Sequence, residues 1–277
     1  MSTLKIGQNG QDLTRKQRRQ HAREKHSAVE RARAASAVRR TRLTLLGILV
    51  SIVVAGISVV VIASAGSGEA RISPGSTAGR TASSEVTALL SGIPQRGNVL
   101  GRPSAPVTLQ YFADLQCPVC RTFTTNALPA LIQRWVRGGE LKVEYRSLET
   151  ATGEPEVFAS QQLAALAAGK QDKLWNFVET FYREQQEEGT GYVTEGYIHG
   201  IAQQAAGLNL SRWESDRSDP ALARQLAVDA QTAGEERLGG TPAFLIGRSG
   251  GTVQQLQPRS FSEAGPFDEA IEKLVRA

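Results

Sequence analysis

Cys117 and Cys120 are the only two cysteines in the 277-residue chain, and they lie in the stretch Ala113-Asp-Leu-Gln-Cys117-Pro118-Val119-Cys120. An alternating apolar run, residues 107–112, precedes them, and a helix-like pattern, residues 121–137, follows. Thiols at this spacing, at a strand-to-helix junction, can form and break a disulfide. The same spacing is half of a zinc site. A structural zinc needs two further ligands, and the only histidines are His21, His26 and His199. The first two fall in a basic N-terminal segment, which leaves at most one near the motif. Redox chemistry is the reading these residues favour, with no metal and no cofactor.

The compartment follows from the first part of the chain. Residues 1–42 carry twelve Lys/Arg against Asp12, Glu24 and Glu30, a net of +9, which leaves −4 for the rest of a chain whose formal charge is +5. A basic arm of this sign can meet nucleic acid or anionic lipid. It contains no aromatic residue to stack on bases, so nucleic acid is not the expected partner. It reads as a disordered cytoplasmic tail. Residues 43–65, LTLLGILVSIVVAGISVVVIASA, carry no charge. At about 1.5 Å per residue a helix of this length spans the roughly 30 Å hydrocarbon core. Arg39, Arg40 and Arg42 stand directly before it, which orients the N-terminus to the cytoplasm and the remainder outside. Ala63-Ser-Ala65 also satisfies a small-x-small cleavage pattern, but the apolar run is longer than a signal-peptide core, so we expect a single-pass signal anchor. Either reading places the cysteines in an oxidising compartment, where a disulfide persists. Residues 66–84, rich in Gly, Ser, Thr and Ala, read as a flexible linker reaching on the order of 20–25 Å.

Residues 85–277 read as one α/β domain. A short helix over 84–91 ends at Gly92-Ile-Pro94, and a short strand follows over 97–101. The apolar alternation predicts strands over 107–112 and 141–146. The helix between them starts at the cysteine motif, and Pro129 is expected to kink it. A connection of that length implies parallel pairing through a right-handed crossover. Residues 154–237 show helical periodicity over 157–168, 174–185, 194–206 and 221–237. Trp175, Phe177, Phe181 and Tyr182 are spaced to enter a core, and His199 reads as an ordinary helix residue. Gly239-Gly-Thr-Pro242 then leads into strands over 243–247 and 252–256, and the pattern closes with a helix over 267–275.

The order strand, CxxC helix, strand, helical block, Thr-Pro, strand, strand, helix resembles a thioredoxin-like fold with an inserted helical domain over about 154–237, as in DsbA-like thiol:disulfide oxidoreductases. The segments that carry the resemblance are Leu100-Gly-Arg-Pro-Ser-Ala-Pro106, Phe112-Ala-Asp-Leu-Gln-Cys-Pro-Val-Cys120, Ala205-Ala-Gly-Leu208 and Gly239-Gly-Thr-Pro-Ala-Phe244. The resemblance implies that the Thr241–Pro242 bond is cis and that Thr241 and Pro242 wall the site and receive a substrate strand. It also implies a membrane-tethered enzyme that introduces disulfides into reduced exported proteins. A membrane quinone-linked thiol oxidase, DsbB or VKOR-like, would then reoxidise it.

The chemistry has its own argument. The thiolate is the nucleophile, and a cysteine at a helix N-terminus has its pKa lowered from about 8.5 by unpaired N–H groups and the helix dipole. Cys117 occupies that position, Pro118 suits the first helical turn, and Cys120 is the resolving thiol. Pro118-Val119 brings neither charge nor imidazole between the sulfurs, so the dipeptide leaves the redox poise open. Asp114 is either a buried acid relaying protons to Cys120 or a surface turn residue. A tethered reductase or isomerase is the alternative enzyme. A non-enzymatic binding or chaperone module with a static disulfide is the alternative of another class. It is disfavoured because so short a loop gains little from closure.

Overall fold

The computed structural model describes residues 77–276. The basic tail, the apolar run over 43–65 and the first part of the linker lie outside the described residues. Among the described residues no helix is long and apolar enough to cross a membrane.

Helix α1, Thr77–Leu90, starts seven residues before the expected position, so its first turns are helix where linker was expected. Its Ser/Thr/Ala composition hides the signal. Ala82, Val86 and Leu90 recur every fourth residue and are buried, and this narrow stripe is enough to seat the helix. Two short strands follow, β1 (Gln95–Arg96) and β2 (Val99–Leu100), and then β3 (Val107–Ala113).

From the cysteine motif a helical rod runs over residues 118–136. It comprises α2 (Pro118–Thr122), a π-turn (Phe123–Ala127), α3 (Leu128–Leu131) and a second π-turn (Ile132–Val136). The expected disturbance at Pro129 thus takes the form of π-turns on either side of its segment. Proline has no N–H to offer the preceding turn, and the Leu128 N–H reaches back five residues to the Phe123 carbonyl.

Strand β4 (Leu141–Ser147) leads to α4 (Pro155–Gly169), α5 (Leu174–Glu184), α6 (Glu195–Gln204), α7 (Leu210–Asp216) and α8 (Pro220–Glu235). Strands β5 (Ala243–Arg248) and β6 (Val253–Leu256) and helix α9 (Gly265–Arg276) complete the order. Helix α7 is too short for its periodicity to be read. Its Trp213 nevertheless lies fully buried and donates its indole N–H to the Ala164 carbonyl at 2.8 Å.

The sheet order is β1-β2-β4-β3-β5-β6. Strand β3 pairs parallel with β4, as the crossover requires, and antiparallel with β5. In register, Ala113 lies opposite Ser147 and Phe112 opposite Ala243. The end of β3, the end of β4 and the start of β5 therefore meet at one edge of the sheet. This register brings Cys117, the loop after Ser147 and the Thr241–Pro242 turn together across more than a hundred residues of sequence. Central β3 is buried on both faces, as a strand covered on each side must be. An aromatic cluster fixes the rod to the sheet: the Phe123 ring lies 4.8 Å from Tyr111, 4.7 Å from Phe244 and 5.1 Å from Phe267. Trp175, Phe177, Phe181 and Tyr182 of α5 are fully buried, as their spacing predicts.

Candidate active site

The site is built at the start of the rod. Cys117 is the N-cap of α2 in an extended conformation, and its sulfur accepts the Cys120 N–H at 3.3 Å. Pro118, at the first helical position, leaves no N–H unpaired there. The Cys117 N–H bonds the Asp114 carbonyl at 3.0 Å, closing the turn between strand and helix. Both cysteines are free in this structure. Cys117 is 5% exposed and Cys120 is fully buried. Beside them Val119 is 41% exposed, a large apolar side chain held in solvent next to the more accessible sulfur.

The two thiols differ in acidity because they differ in surroundings. Hydrogen bonding from the Cys120 side chain is the largest influence on Cys117. The Thr241 side chain and the backbone N–H groups of Cys120 and Val119 act in the same direction. Together they outweigh burial and lower Cys117 to about 6. Burial first, and then the adjacent Cys117 sulfur, push Cys120 well above its ordinary value. The pair thus combines a slightly exposed, more acidic thiol with a fully buried, less acidic one, an asymmetry suited to thiol–disulfide exchange.

The Thr241–Pro242 bond is cis. The Cys117 thiol donates to the Thr241 carbonyl at 3.3 Å, so the turn before β5 lies directly against the Cys117 sulfur. The structure therefore gathers Cys117, Pro118, Val119, Cys120, Thr241 and Pro242 in one place.

Asp114 also lies here, buried as one of its two expected roles requires, with its carboxylate bonded to loop donors. It is fully buried, which excludes a surface turn. Oδ2 accepts the backbone N–H groups of Thr150, Ala151 and Thr152 at 3.0, 2.9 and 2.9 Å. Oδ1 accepts the Gln116 N–H at 3.0 Å, the Thr152 hydroxyl at 2.6 Å and the Gln161 amide at 3.3 Å. All six partners are donors and none is a thiol. The carboxylate holds two loops together, and the proton relay to Cys120 has no support in this geometry.

Further contributors have no mark in the sequence. The Gln185 amide, just past α5, donates to the Leu115 carbonyl at 2.7 Å and the Cys117 carbonyl at 3.2 Å. The Tyr182 hydroxyl donates to the Asp114 carbonyl at 3.0 Å, and the Tyr111 hydroxyl to the Cys120 carbonyl at 3.2 Å. Burial pushes both phenols well up, which keeps them protonated as donors. The apolar stripe of α5 indicates a core helix, but only the tertiary structure shows its last turn clasping the motif. His199, on α6, pairs with Glu214 at 3.0 Å as part of the helical block's surface. Among the described residues no cluster of three His, Cys, Asp or Glu has a metal-ligand arrangement.

The thioredoxin family matches the chain over residues 95–263, which includes both cysteines and the Thr241–Pro242 turn. Disulfide bond formation protein D of Bacillus subtilis is 23% identical over 185 residues, covering 64% of this chain and 77% of that protein. The crystal structure of oxidised BdbD from Bacillus subtilis superposes with a TM-score of 0.55 at 22% identity, covering 68% of this chain and 98% of that one. Wolbachia pipientis α-DsbA1 superposes with a TM-score of 0.54 at 17% identity, over 67% and 92% of the two chains. At these identities the structural likeness is one of fold. The family match places the chain, and the paired thiols lie inside the matched region. This chain belongs to the thioredoxin family, as a DsbA-like thiol:disulfide oxidoreductase.

Proposed function

We propose that the protein works outside the cytoplasm, tethered by residues 43–65, and uses the Cys117–Cys120 disulfide to oxidise reduced exported proteins. The observation that carries this reading is the asymmetry of the two thiols at the helix start, Cys117 slightly exposed and lowered to about 6, Cys120 fully buried and raised. A client thiolate attacks the Cys117 sulfur, and the Cys117–Cys120 bond breaks. Cys120 takes up a proton in its buried site. The client's second thiolate then attacks the client sulfur of the mixed disulfide, and Cys117 departs as a stabilised thiolate. Two electrons pass from client to enzyme, and the client gains its disulfide. Exposed Val119 and the Thr241 backbone offer an apolar contact and a carbonyl acceptor to the client chain at the sulfur. With no third cysteine in the chain, the electrons leave through another protein. A membrane quinone-linked thiol oxidase, DsbB or VKOR-like, fits a tethered enzyme. The uncharged run preceded by Arg39, Arg40 and Arg42 supports the tether and its orientation.

The test uses two variants in intact cells. Cys117→Ser should abolish disulfide formation in reduced clients. Cys120→Ser should accumulate mixed disulfides through Cys117, recovered with membranes after alkaline extraction. Full activity in both variants would refute the redox role, and adducts released by alkaline extraction would refute the tether.

One observation favours a second reading, a tethered reductase or isomerase. The Cys117 value of about 6 lies nearer to thioredoxin's, about 7, than to DsbA's, about 3.5. The reduction potential separates the two.

A further inference from the structure

The loop between β4 and α4 contains no residue with redox chemistry, yet the structure ties it to both halves of the site. Three successive N–H groups, of Thr150, Ala151 and Thr152, converge on a single oxygen of buried Asp114. Successive N–H groups closing on one carboxylate oxygen form a nest, and charge-assisted bonds of this kind are about twice as strong as neutral ones. The other oxygen caps the turn leading to Cys117 through the Gln116 N–H and clasps the Thr152 hydroxyl. The loop so fixed places the Thr150 hydroxyl in hydrogen-bond contact with the Thr241 hydroxyl. Thr241 in turn faces the sulfurs: its carbonyl lies 3.3 Å from the Cys117 sulfur.

We propose that Asp114 and Thr150 are positioning residues: Asp114 fixes the 150–152 loop, and Thr150 engages the Thr241 hydroxyl and so holds the turn that lies against Cys117. A threonine hydroxyl has two lone pairs and one proton. The partner that Thr150 supplies decides where that proton points. Without Thr150 the Thr241 hydroxyl turns to water or to its own backbone, and its stabilisation of the Cys117 thiolate is lost. The influence of the Thr241 side chain on the acidity of both thiols accords with this arrangement. Asp114 touches neither substrate nor sulfur through its carboxylate, so its effect on the chemistry runs through the loop.

The inference rests on Cys117 being the nucleophile, and the experiment separates the two claims. The full chain, reduced and in detergent, is alkylated with iodoacetamide across the pH range, and the midpoint of the rate profile gives the Cys117 ionisation. Wild type should show a midpoint near 6. A wild-type midpoint near that of a free thiol, about 8.5, would overturn the nucleophile reading itself. Thr150→Val, isosteric but without the hydroxyl, should raise the midpoint by about one pH unit, a tenfold change in ionisation constant. At neutral pH the equilibrium with glutathione should move about fivefold toward the enzyme disulfide, equivalent to about 20 mV. Thr150→Ser, which restores a hydroxyl, should return both readings to wild type. A Thr150→Val profile superimposable on wild type would overturn the inference while leaving the nucleophile reading intact. Asp114→Asn places an amide against the three N–H donors and should shift the midpoint in the same direction. If the two residues act in series, the Asp114→Asn/Thr150→Val double variant should shift no further than Thr150→Val alone, whereas additive shifts would contradict the series. Should the Asp114 variant fail to fold, the Thr150 pair decides the matter.

Discussion

At the residue scale the protein turns on two sulfurs of opposite acidity. A folded-state value of about 6 for Cys117 lies below the unfolded value of about 8.5. For an acid depressed in this way, the contribution to stability is fully present above the unfolded value and is lost as pH falls through the folded one. The reduced protein should therefore lose stability relative to reduced Cys117→Ser as pH falls from about 9 to below 6. Paired denaturant titrations across that range measure the gap, and a gap independent of pH would contradict the assigned ionisation. Much of this scale was legible in the sequence. The spacing of Cys117 and Cys120 and their place before a helix are covalent and local facts. Pro118 at the first turn follows from the same stretch. Thr241–Pro242 was legible only through resemblance, since its approach to Cys117 depends on the pairing of β3 with β5. The role of Asp114 stayed open because a carboxylate three residues before a cysteine does not reveal whether its partners are water, a thiol or the backbone of a loop some 36 residues on.

At the element scale, each support of the motif comes from a segment with its own reason to fold. The rod begins at Pro118, with Cys117 as its N-cap, because a proline's missing N–H has no intrahelical partner to lose at the first position. It is held down by the Phe123, Phe244 and Phe267 rings. Helix α5 approaches from the other side, and its last turn delivers Tyr182 and Gln185 to the carbonyls of the turn. Tyr182→Phe keeps the ring and removes a buried donor. The Asp114 carbonyl retains the Cys117 N–H as a partner, so the loss should be about 1 kcal/mol, that of a single net hydrogen bond. A shift in the denaturant midpoint at unchanged slope measures it, and stability equal to wild type would show that the contact contributes nothing. Long periodic helices such as α4, α5 and α8 were visible in the sequence to within a few residues. The short strand expected over 97–101 is β2, but two-residue β1, the seven-residue α7 and the π-turns were not visible. Such short segments form because neighbours complete them, and a π-turn adds one residue to a turn without altering the apolar pattern noticeably. Helix α1 was half visible, its later Val86 and Leu90 showing where the earlier Thr and Ser did not.

At the scale of the whole molecule, the helical block is fastened to the sheet beside the active site. Fully buried Asp229 of α8 accepts the Arg146 guanidinium at 2.8 Å and the Ser147 N–H at 3.0 Å. Ser147 ends β4, and the loop held by Asp114 begins three residues later, so the anchoring of the block and the shaping of the site share one strand end. The α/β order and the parallel crossover were legible because strand and helix periods differ. The convergence of three strand ends was not, because register is a property of the sheet. The central claim is that the Cys117–Cys120 pair gives its disulfide away, and the most direct measurement is its reduction potential against glutathione. With Cys117 between the acidities of DsbA and thioredoxin, the potential should lie between their values, below about −120 mV and above about −270 mV. A potential at or below about −270 mV would make the protein an electron donor and contradict the account.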